Sequence, residues 1–282
     1  MLKIDDLWFT YPNGIEAVRG VSVEVPRGII GLLGPNGAGK STLMQMLATL
    51  KRPGRGSIRF SNIDVLGEPE RLRRTLGYLP QDFGVYPHAS ARDLLDHLAV
   101  LKGISGRGAR RELVEGLLAT VNLWDARDRA VASFSGGMRQ RFGVAQALIG
   151  SPELIIVDEP TAGLDPEERN RFHDILAGLG ERAVVILSTH LVEDVANLCE
   201  RVAVLAGGRI LFDGAPAEMM DRLEGRLWSA PVQPPGATLL SSRLLAGRRS
   251  FRLIAAERPH PQAQPVPPQL EDAYFAAVKE LL

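Results

Sequence analysis

The sequence has little of several features that would place it in a specialised class. It has a single cysteine, Cys199, so no disulfide can form within the chain. Its apolar residues never run uninterrupted for the roughly 18 positions that a membrane-spanning helix needs, so we expect that the chain does not cross a membrane. Lysine plus arginine equal aspartate plus glutamate at 33 each, so no net positive charge would attract nucleic acid. What is there is a chain of 282 residues, enough for one large domain and a small second one.

A phosphate-binding loop stands out among the motifs, because residues 34–41 read Gly-Pro-Asn-Gly-Ala-Gly-Lys-Ser. Residues 28–33 predict a buried strand before it and the residues from Thr42 predict a helix after it, which is the setting that this motif requires. The glycines let backbone N–H groups turn toward the β- and γ-phosphates of a nucleoside triphosphate, while Lys40 adds positive charge and Ser41 a ligand for Mg²⁺. The predicted loop comprises Gly34, Pro35, Asn36, Gly37, Ala38, Gly39, Lys40, Ser41 and Thr42.

Two further apolar runs end in polar residues. Residues 154–157 predict a central parallel strand and lead into Asp158 and Glu159, and residues 184–187 predict another that leads to His190. We expect Asp158 to hold the metal, Glu159 to polarise the attacking water and His190 to contact the γ-phosphate. The other histidines follow no such strand and receive no role; they are His88, His97, His173 and His260.

A second anion cradle begins at Ser135, which is a favourable N-cap for a helix that we expect to run to about Ile149. Gly136 and Gly137 leave the first-turn N–H groups open to an anion. The chain has one phosphate loop, so two possibilities follow. Either one molecule binds two anions, or the second cradle closes over the nucleotide of a neighbouring copy.

Taken in order, these motifs resemble those of the ATP-binding subunit of an ABC transporter, over roughly residues 1–220. Tyr11 falls where that family stacks an aromatic ring on adenine; the alternative is an ordinary core or turn aromatic. Gln81 follows a short predicted strand; its alternative is a surface glutamine. On this resemblance, residues 34–41 match the Walker A loop, Gln81 the Q-loop, Ser135–Met138 the signature, Leu154–Asp158 the Walker B strand, Glu159 the catalytic base, Ala162–Asp165 the D-loop and His190 the switch histidine.

The resemblance implies an ATPase that uses ATP and Mg²⁺ and works as a homodimer. Ser135, Gly136, Gly137 and Asp165 of one chain would cover the γ-phosphate that the other chain holds. Its partner would be an integral membrane permease, and its location cytoplasmic, peripheral on the inner face of the plasma membrane. The implied catalytic residues are Glu159, His190 and Gln81, and the implied metal ligands are Ser41, Gln81 and Asp158.

Met138 occupies the signature position where the family usually has glutamine. The same substitution is familiar in part of the family, in subunits that resemble those for the export of drugs, antibiotics and polysaccharides.

Other classes of ATPase share the same kind of nucleotide site. ATPases of DNA repair or chromosome structure insert a long coiled coil between the phosphate loop and the signature, and no heptad repeat separates residues 41 and 135. Translation factors of the superfamily carry two cassettes on one chain. A degenerate binding subunit would lack Lys40, Glu159 or His190.

The expected fold is an α/β P-loop NTPase core with a parallel sheet, an N-terminal antiparallel β layer, an inserted helical subdomain and a small C-terminal α+β extension. We place the ATP-binding domain at 1–220, with the helical subdomain at about 85–150, and an accessory region at 221–282. That region has a predicted hairpin around Gly247, a proline-rich linker and a terminal helix. The helix would brace a homodimer or pack on its own chain.

Overall fold

The computed structural model describes residues 1–84, 86–161, 164–245 and 247–282. A six-stranded sheet in the order β10-β9-β3-β8-β7-β6 forms its centre, beside two four-stranded sheets in the orders β2-β1-β4-β5 and β12-β13-β11-β14. The strands are β1 (Leu2–Thr10), β2 (Glu16–Val25), β3 (Gly28–Leu33), β4 (Arg55–Phe60), β5 (Ile63–Asp64), β6 (Leu76–Leu79), β7 (Leu154–Asp158), β8 (Val184–Thr189), β9 (Arg201–Ala206), β10 (Arg209–Gly214), β11 (Leu227–Ala230), β12 (Thr238–Leu245), β13 (Arg248–Ile254) and β14 (Gln264–Pro265).

Side chains cap the N-termini of some of the helices. Ser90 and Asp165 each accept a hydrogen bond from a backbone N–H in the first turn of their helices. No helix in the described part of the chain is long and apolar enough to span a bilayer. The helices are α1 (Lys40–Leu47), α2 (Pro69–Thr75), α3 (Ala91–Leu101), α4 (Arg107–Thr120), α5 (Gly136–Ala147), α6 (Pro166–Gly180), α7 (Val192–Leu198), α8 (Pro216–Asp221) and α9 (Leu270–Val278), with 3-10 turns at Trp124–Ala126 and Val131–Ser133.

The central sheet separates two hydrophobic clusters, because successive side chains of its strands point to opposite faces. In β7, Ile155 and Val157 join the cluster beneath α6 and α7. Leu154 and Ile156 join the cluster shared with α1 and the N-terminal sheet. Strands buried on both faces read as continuous apolar runs, which is why the sequence predicted them.

The parallel core and the antiparallel layer agree with the predicted fold class. Strands β6, β7, β8, β3 and β9 pair in parallel, and β10 closes one edge as an antiparallel strand. Helices α3, α4 and α5 contact one another between β6 and β7, where the helical subdomain was expected. The signature helix α5 ends at Ala147, slightly before the predicted Ile149.

The C-terminal region contacts the central sheet and the helices that pack on it. Strands β12 and β13 form a hairpin through Gly247, as the sequence predicted. Helix α9 contacts α7, α8 and β9 of its own chain. Leu227, Leu240 and Tyr274 belong to the same hydrophobic cluster as Val202 of β9. The proposed boundary at residue 220 therefore divides two regions that share one core.

The reactivity of the Cys199 thiol reports how well the end of α7 is buried against this core. It is 8% exposed, and this burial, with a smaller contribution from the negative charge of Asp194, raises the pKa of its thiol from 9.0 to about 12. Since the thiolate is the nucleophile, we expect iodoacetamide at pH 8 to modify the folded protein about a thousandfold more slowly than the guanidine-unfolded protein. Mass spectrometry over time measures both rates. Equal rates would show that Cys199 is accessible in the folded chain.

Candidate functional site

The phosphate-binding loop joins β3 to α1, and two of its glycines are required by neighbouring backbone. A Cβ on Gly34 would lie 2.1 Å from the carbonyl oxygen of Leu205, and one on Gly39 would lie 2.2 Å from that of Ala17. Gly37 has open space around it and a φ of 79°, which favours glycine for backbone reasons alone. The loop thus lies against β2 and β9 with no room for side chains at its two ends.

A cavity of about 820 Å³ opens over this loop. Tyr11 stands at its wall, with its hydroxyl 2.8 Å from Thr42 Oγ1 and its ring 4.8 Å from Lys51 Nζ. Gly207 and Gly208, which the sequence analysis did not single out, line it as well. The predicted residues that line this cavity are Tyr11, Asn36, Gly37, Ala38, Gly39, Lys40, Ser41, Thr42, Gln81 and Glu159.

Lys40 is the buried positive charge of the loop. Its side chain is 5% exposed, and Nζ donates to the carbonyl oxygens of Gly34 at 2.7 Å and Pro35 at 3.2 Å. Nζ also lies 3.6 Å from Glu159 Oε1. Buried charges need such partners, so the lysine is held at the floor of the cavity.

Glu159 leaves the end of β7 in an unusual backbone conformation, with a φ of 47°. Its N–H donates to the carbonyl oxygen of Ser188 in the next strand at 3.0 Å. Its Oε2 lies 3.2 Å from Nδ1 of His190, which follows β8. Left-handed backbone at a residue other than glycine is uncommon and concentrates at functional sites. The structure thus brings together a carboxylate and an imidazole that the sequence placed after separate strands.

Asp158, the last residue of β7, has the properties expected of a metal ligand. It is 3% exposed, and its Oδ1 has no hydrogen-bond partner among the described residues. Burial and the negative charge of Asp158 raise the pKa of Tyr78 to about 12, so the neighbouring phenol stays neutral. A buried carboxylate oxygen without a partner is costly unless a cation answers it. Mg²⁺ prefers oxygen ligands of the kind that the Asp158 carboxylate offers. The Ser41 hydroxyl and the Gln81 amide, which line the cavity, offer oxygen ligands as well.

The signature residues do not line this cavity. Ser135 caps α5, where its hydroxyl accepts from Met138 N–H at 3.2 Å, and Ser135 and Gly136 are exposed. Asp165 is also exposed and caps α6. Of these described residues, none lines the cavity above the phosphate loop. Ala162 and Gly163 of the predicted D-loop lie outside the described residues.

Comparison with known proteins decides the family. A family profile described as ABC transporter matches residues 18–162. The daunorubicin/doxorubicin resistance ATP-binding protein DrrA of Streptomyces peucetius is 38% identical over 239 residues, 82% of this chain and 72% of that protein. The chain belongs to the ABC transporter family. It is an ATP-binding subunit and an ATPase.

Other ABC relatives differ in the direction of transport that their names give. The lipopolysaccharide export protein LptB of Acidithiobacillus ferridurans is 39% identical, covering 78% of this chain and 92% of that protein. The methionine import protein MetN of Bordetella pertussis is 36% identical, covering 91% and 74%. A solved dimeric bacterial ABC transporter cassette, 25% identical, superposes with a TM-score of 0.70 over 76% of this chain and 98% of that one.

The ABC signature helix is tied to α6 within one chain. Arg141 donates to Glu168 at 3.2 Å and to the carbonyl oxygens of Val121 and Asn122. A Cβ on Gly137 would lie 2.8 Å from the Glu168 carboxyl carbon. The second signature glycine therefore packs against the end of the Glu168 side chain, which would have to move to admit a larger residue there.

A groove of about 860 Å³ separates the ATPase core from the helical subdomain. Leu50 and Leu101 expose large apolar side chains there, and Lys102 spans it by donating to the carbonyl oxygens of Arg73 and Leu76. The described residues of the segment 82–90, which follows Gln81, do not line this groove. Asp82 and Phe83 line a separate cavity of about 130 Å³ beside Gly136 and Arg139, and Val85 lies outside the described residues.

Sequence analysis missed a buried network behind the site. Asp194 in α7 is bonded to His173, Thr161 and Thr189, all of them buried. Burial of the Asp194 carboxyl works to raise its pKa, but the hydrogen bonds from His173, Thr161 and Thr189 prevail and hold the pKa below its ordinary value. The sequence analysis gave His173 no role, because its contact with Asp194 is visible only in the folded chain.

Proposed function

We propose that this subunit hydrolyses ATP to drive export through a separate membrane permease, with each ATP held between two copies of the chain. One observation carries the proposal: the exposed cradle at Ser135 and Gly136 does not line the cavity that contains Lys40. A nucleotide in that cavity would leave the cradle without a ligand in the same chain. A second copy supplies the cradle under two-fold symmetry, and the solved dimeric cassettes support this arrangement.

Within each copy, the cavity suits one ATP. The N–H groups at the start of α1 and the charge of Lys40 would bind the β- and γ-phosphates, and the Tyr11 ring would stack on adenine. From the partner, Ser135, Gly136, Gly137 and Asp165 would complete the γ-phosphate site. Closure then depends on ATP, because the nucleotide binds both halves of the interface.

For the reaction, Glu159 would accept a proton from the attacking water, and His190 would hold both the γ-phosphate and Glu159 in place. Gln81 would position water from the wall of the cavity. Ser41, Gln81 and Asp158 would hold Mg²⁺. When bound, that ion neutralises charge on the phosphate oxygens.

The groove beside Leu50 and Leu101 is our candidate docking site for the permease. It joins the two parts of the subunit that carry the phosphate loop and the signature, and it exposes apolar side chains rimmed by Glu70 and Arg74. Docking there would place the subunit at the cytoplasmic face of the membrane. Export as the direction rests on the signature Met138 and on the likeness to drug and lipopolysaccharide export proteins.

Replacing Glu159 with glutamine tests its role as the base. Glu159→Gln keeps the size of the side chain but removes the carboxylate, so we expect turnover to fall about 10²- to 10⁴-fold with ATP affinity retained. With ATP, gel filtration should then show a stable dimer. The matched control is Glu181→Gln. Glu181 is an exposed acid directly after the last residue of α6, and this variant should behave as wild type. Phosphate release at the normal rate by Glu159→Gln would refute the assignment.

Mixing two inactive variants tests the shared site. Lys40→Ala removes the phosphate-binding charge and Ser135→Arg blocks the cradle, so each homodimer should be inactive. A heterodimer of the two contains one site with both defects and one intact site. Random mixing makes half of the dimers mixed, so we expect about a quarter of wild-type ATPase activity. Ser90→Ala, which removes a helix cap elsewhere, controls for lost stability.

No recovery on mixing, with both variants folded by circular dichroism, would mean that each site is completed inside one chain. The dimeric proposal would then be wrong.

A charge in the groove tests permease docking. Leu101 is 69% exposed in the groove, whereas Leu244 is 72% exposed on β12 and is not among the groove's lining residues. Leu101→Asp should reduce the amount of permease that copurifies from detergent-solubilised membranes about tenfold or more, since a buried unpaired charge opposes association. Leu244→Asp should copurify normally, and the ATPase activity of both isolated variants should be unchanged. Equal recovery of permease would place the docking site elsewhere.

A further inference from the structure

A wholly buried carboxylate lies directly behind the proposed catalytic pair. Asp194 is 0% exposed and sits in the first turn of α7. Its Oδ2 accepts hydrogen bonds from the hydroxyls of Thr161 at 2.5 Å and Thr189 at 3.0 Å. Its Oδ1 lies 3.0 Å from Nε2 of His173 and 3.9 Å from Nε of Arg169. One side chain therefore joins α6, α7, the segment that follows β7 and the last residue of β8.

The two threonines connect this network to the proposed catalytic pair, because each lies close to one of those residues along the chain. Thr161 is two residues after Glu159, and Thr189 is the residue before His190. The Thr189 hydroxyl also accepts from the N–H of Leu191 at 2.9 Å, so it holds the turn that carries His190. A single carboxylate oxygen thus fixes the separation of the segments that bear the two groups.

We propose that Asp194 is a positioning residue for ATP hydrolysis, which keeps Glu159 and His190 at the separation that lets both act on one γ-phosphate. This rests on the roles proposed above for these two residues. Asp194 itself lies outside the cavity and touches no substrate. It acts through the backbone next to Glu159 and His190.

The size of the effect follows from the geometry of catalysis. A displacement of about 1 Å in a reacting group can cost about 10²-fold in rate, even when the change lies away from the chemistry. Glu159 is sensitive to such displacement because its left-handed backbone is held by neighbours: Ser188 bonds its N–H and His190 its carboxylate. Loosening the segment after Glu159 would alter both contacts. Phosphate binding at α1 would be unaffected, since none of the described bonds of Asp194 reaches that helix.

The first test separates turnover from binding. Asp194→Asn keeps the shape but replaces one oxygen with an N–H donor, so either the threonines or His173 lose their acceptor. We expect kcat to fall about tenfold or more while the KM for ATP changes less than about twofold. Asp272→Asn is the matched control: Asp272 is also 0% exposed, in the first turn of a helix, and bonded to Arg252 and to Gln269 N–H.

Both substitutions remove a buried carboxylate and should lower the melting temperature, but only Asp194→Asn should lower kcat when assays run well below melting. Equal kcat values for the two variants would overturn the proposal. If Asp194→Asn does not fold, Thr161→Val and Thr189→Val test the same bonds singly. Each should lower kcat about threefold or more at unchanged KM. Wild-type turnover in both would overturn it as well.

A double-mutant comparison with His190 separates positioning from general loosening. If Asp194 acts through His190 and Glu159, Asp194→Asn should cost much less activity in a His190→Ala background than in the wild type. An equal fold-loss in both backgrounds would indicate general structural damage and overturn the proposal. His190→Ala measured alone reports on the proposed function: wild-type turnover there would refute the role of His190, whatever Asp194→Asn does.

Discussion

The parallel pairing of β3, β8 and β7 is the constraint on which the site depends. In this ladder Leu33 lies opposite Thr189, and Asp158 lies opposite Ser188. The phosphate loop, the acidic pair and the switch histidine therefore leave the sheet side by side, at its carboxyl edge. The register is set by backbone hydrogen bonds between apolar strands. A slip of one residue would send Asp158 to the opposite face of the sheet.

Most charged groups at this edge of the sheet lie within hydrogen-bond or ion-pair distance of another polar group. Lys40 is bonded to two loop carbonyls and lies close to Glu159, and Glu159 in turn lies close to His190. Asp158 is the exception, because one of its oxygens has no partner among the described residues. Satisfied groups fix the geometry of a site, and an unsatisfied carboxylate marks where a cation fits.

Sequence patterns predicted those parts of the structure that depend on local backbone requirements. Glycines at the loop, apolar runs that end in acids and a serine before two glycines each indicate a strand end or a helix start, and the fold class follows from their order. The same patterns predicted that Glu159 and His190 act at one γ-phosphate, because both follow apolar runs that are typical of parallel strands. They could not show that Gly34 and Gly39 face the carbonyls of Leu205 and Ala17, since those residues are distant in sequence.

Long-range polar contacts escaped the sequence for a physical reason. Asp194 and His173 are 21 residues apart and Arg252 and Asp272 are 20 apart, and none of the four belongs to a motif or a periodic pattern. Burial alone makes such pairs important, and burial is set by how helices and strands pack together. The shared core of the C-terminal region escaped for the same reason. The helical spacing of Leu270, Ala273, Tyr274 and Ala277 gives α9 an apolar face, but that spacing does not show that the face packs against α7 and β9.

Packing behind the sheet also determines where the switch histidine lies. Helix α7 has seven residues, too few to be stable by itself, so its position depends on its contacts with β3, α6 and α9. At Gly31 in β3, a Cβ would lie 2.9 Å from Val195 Cγ2, closer than real Cβ contacts. Since Val195 follows Asp194, a larger residue at position 31 would displace the carboxylate that ties Thr161 to Thr189. The absence of a side chain at Gly31, in the strand before the phosphate loop, thus contributes to the geometry of the switch at the end of the neighbouring strand β8.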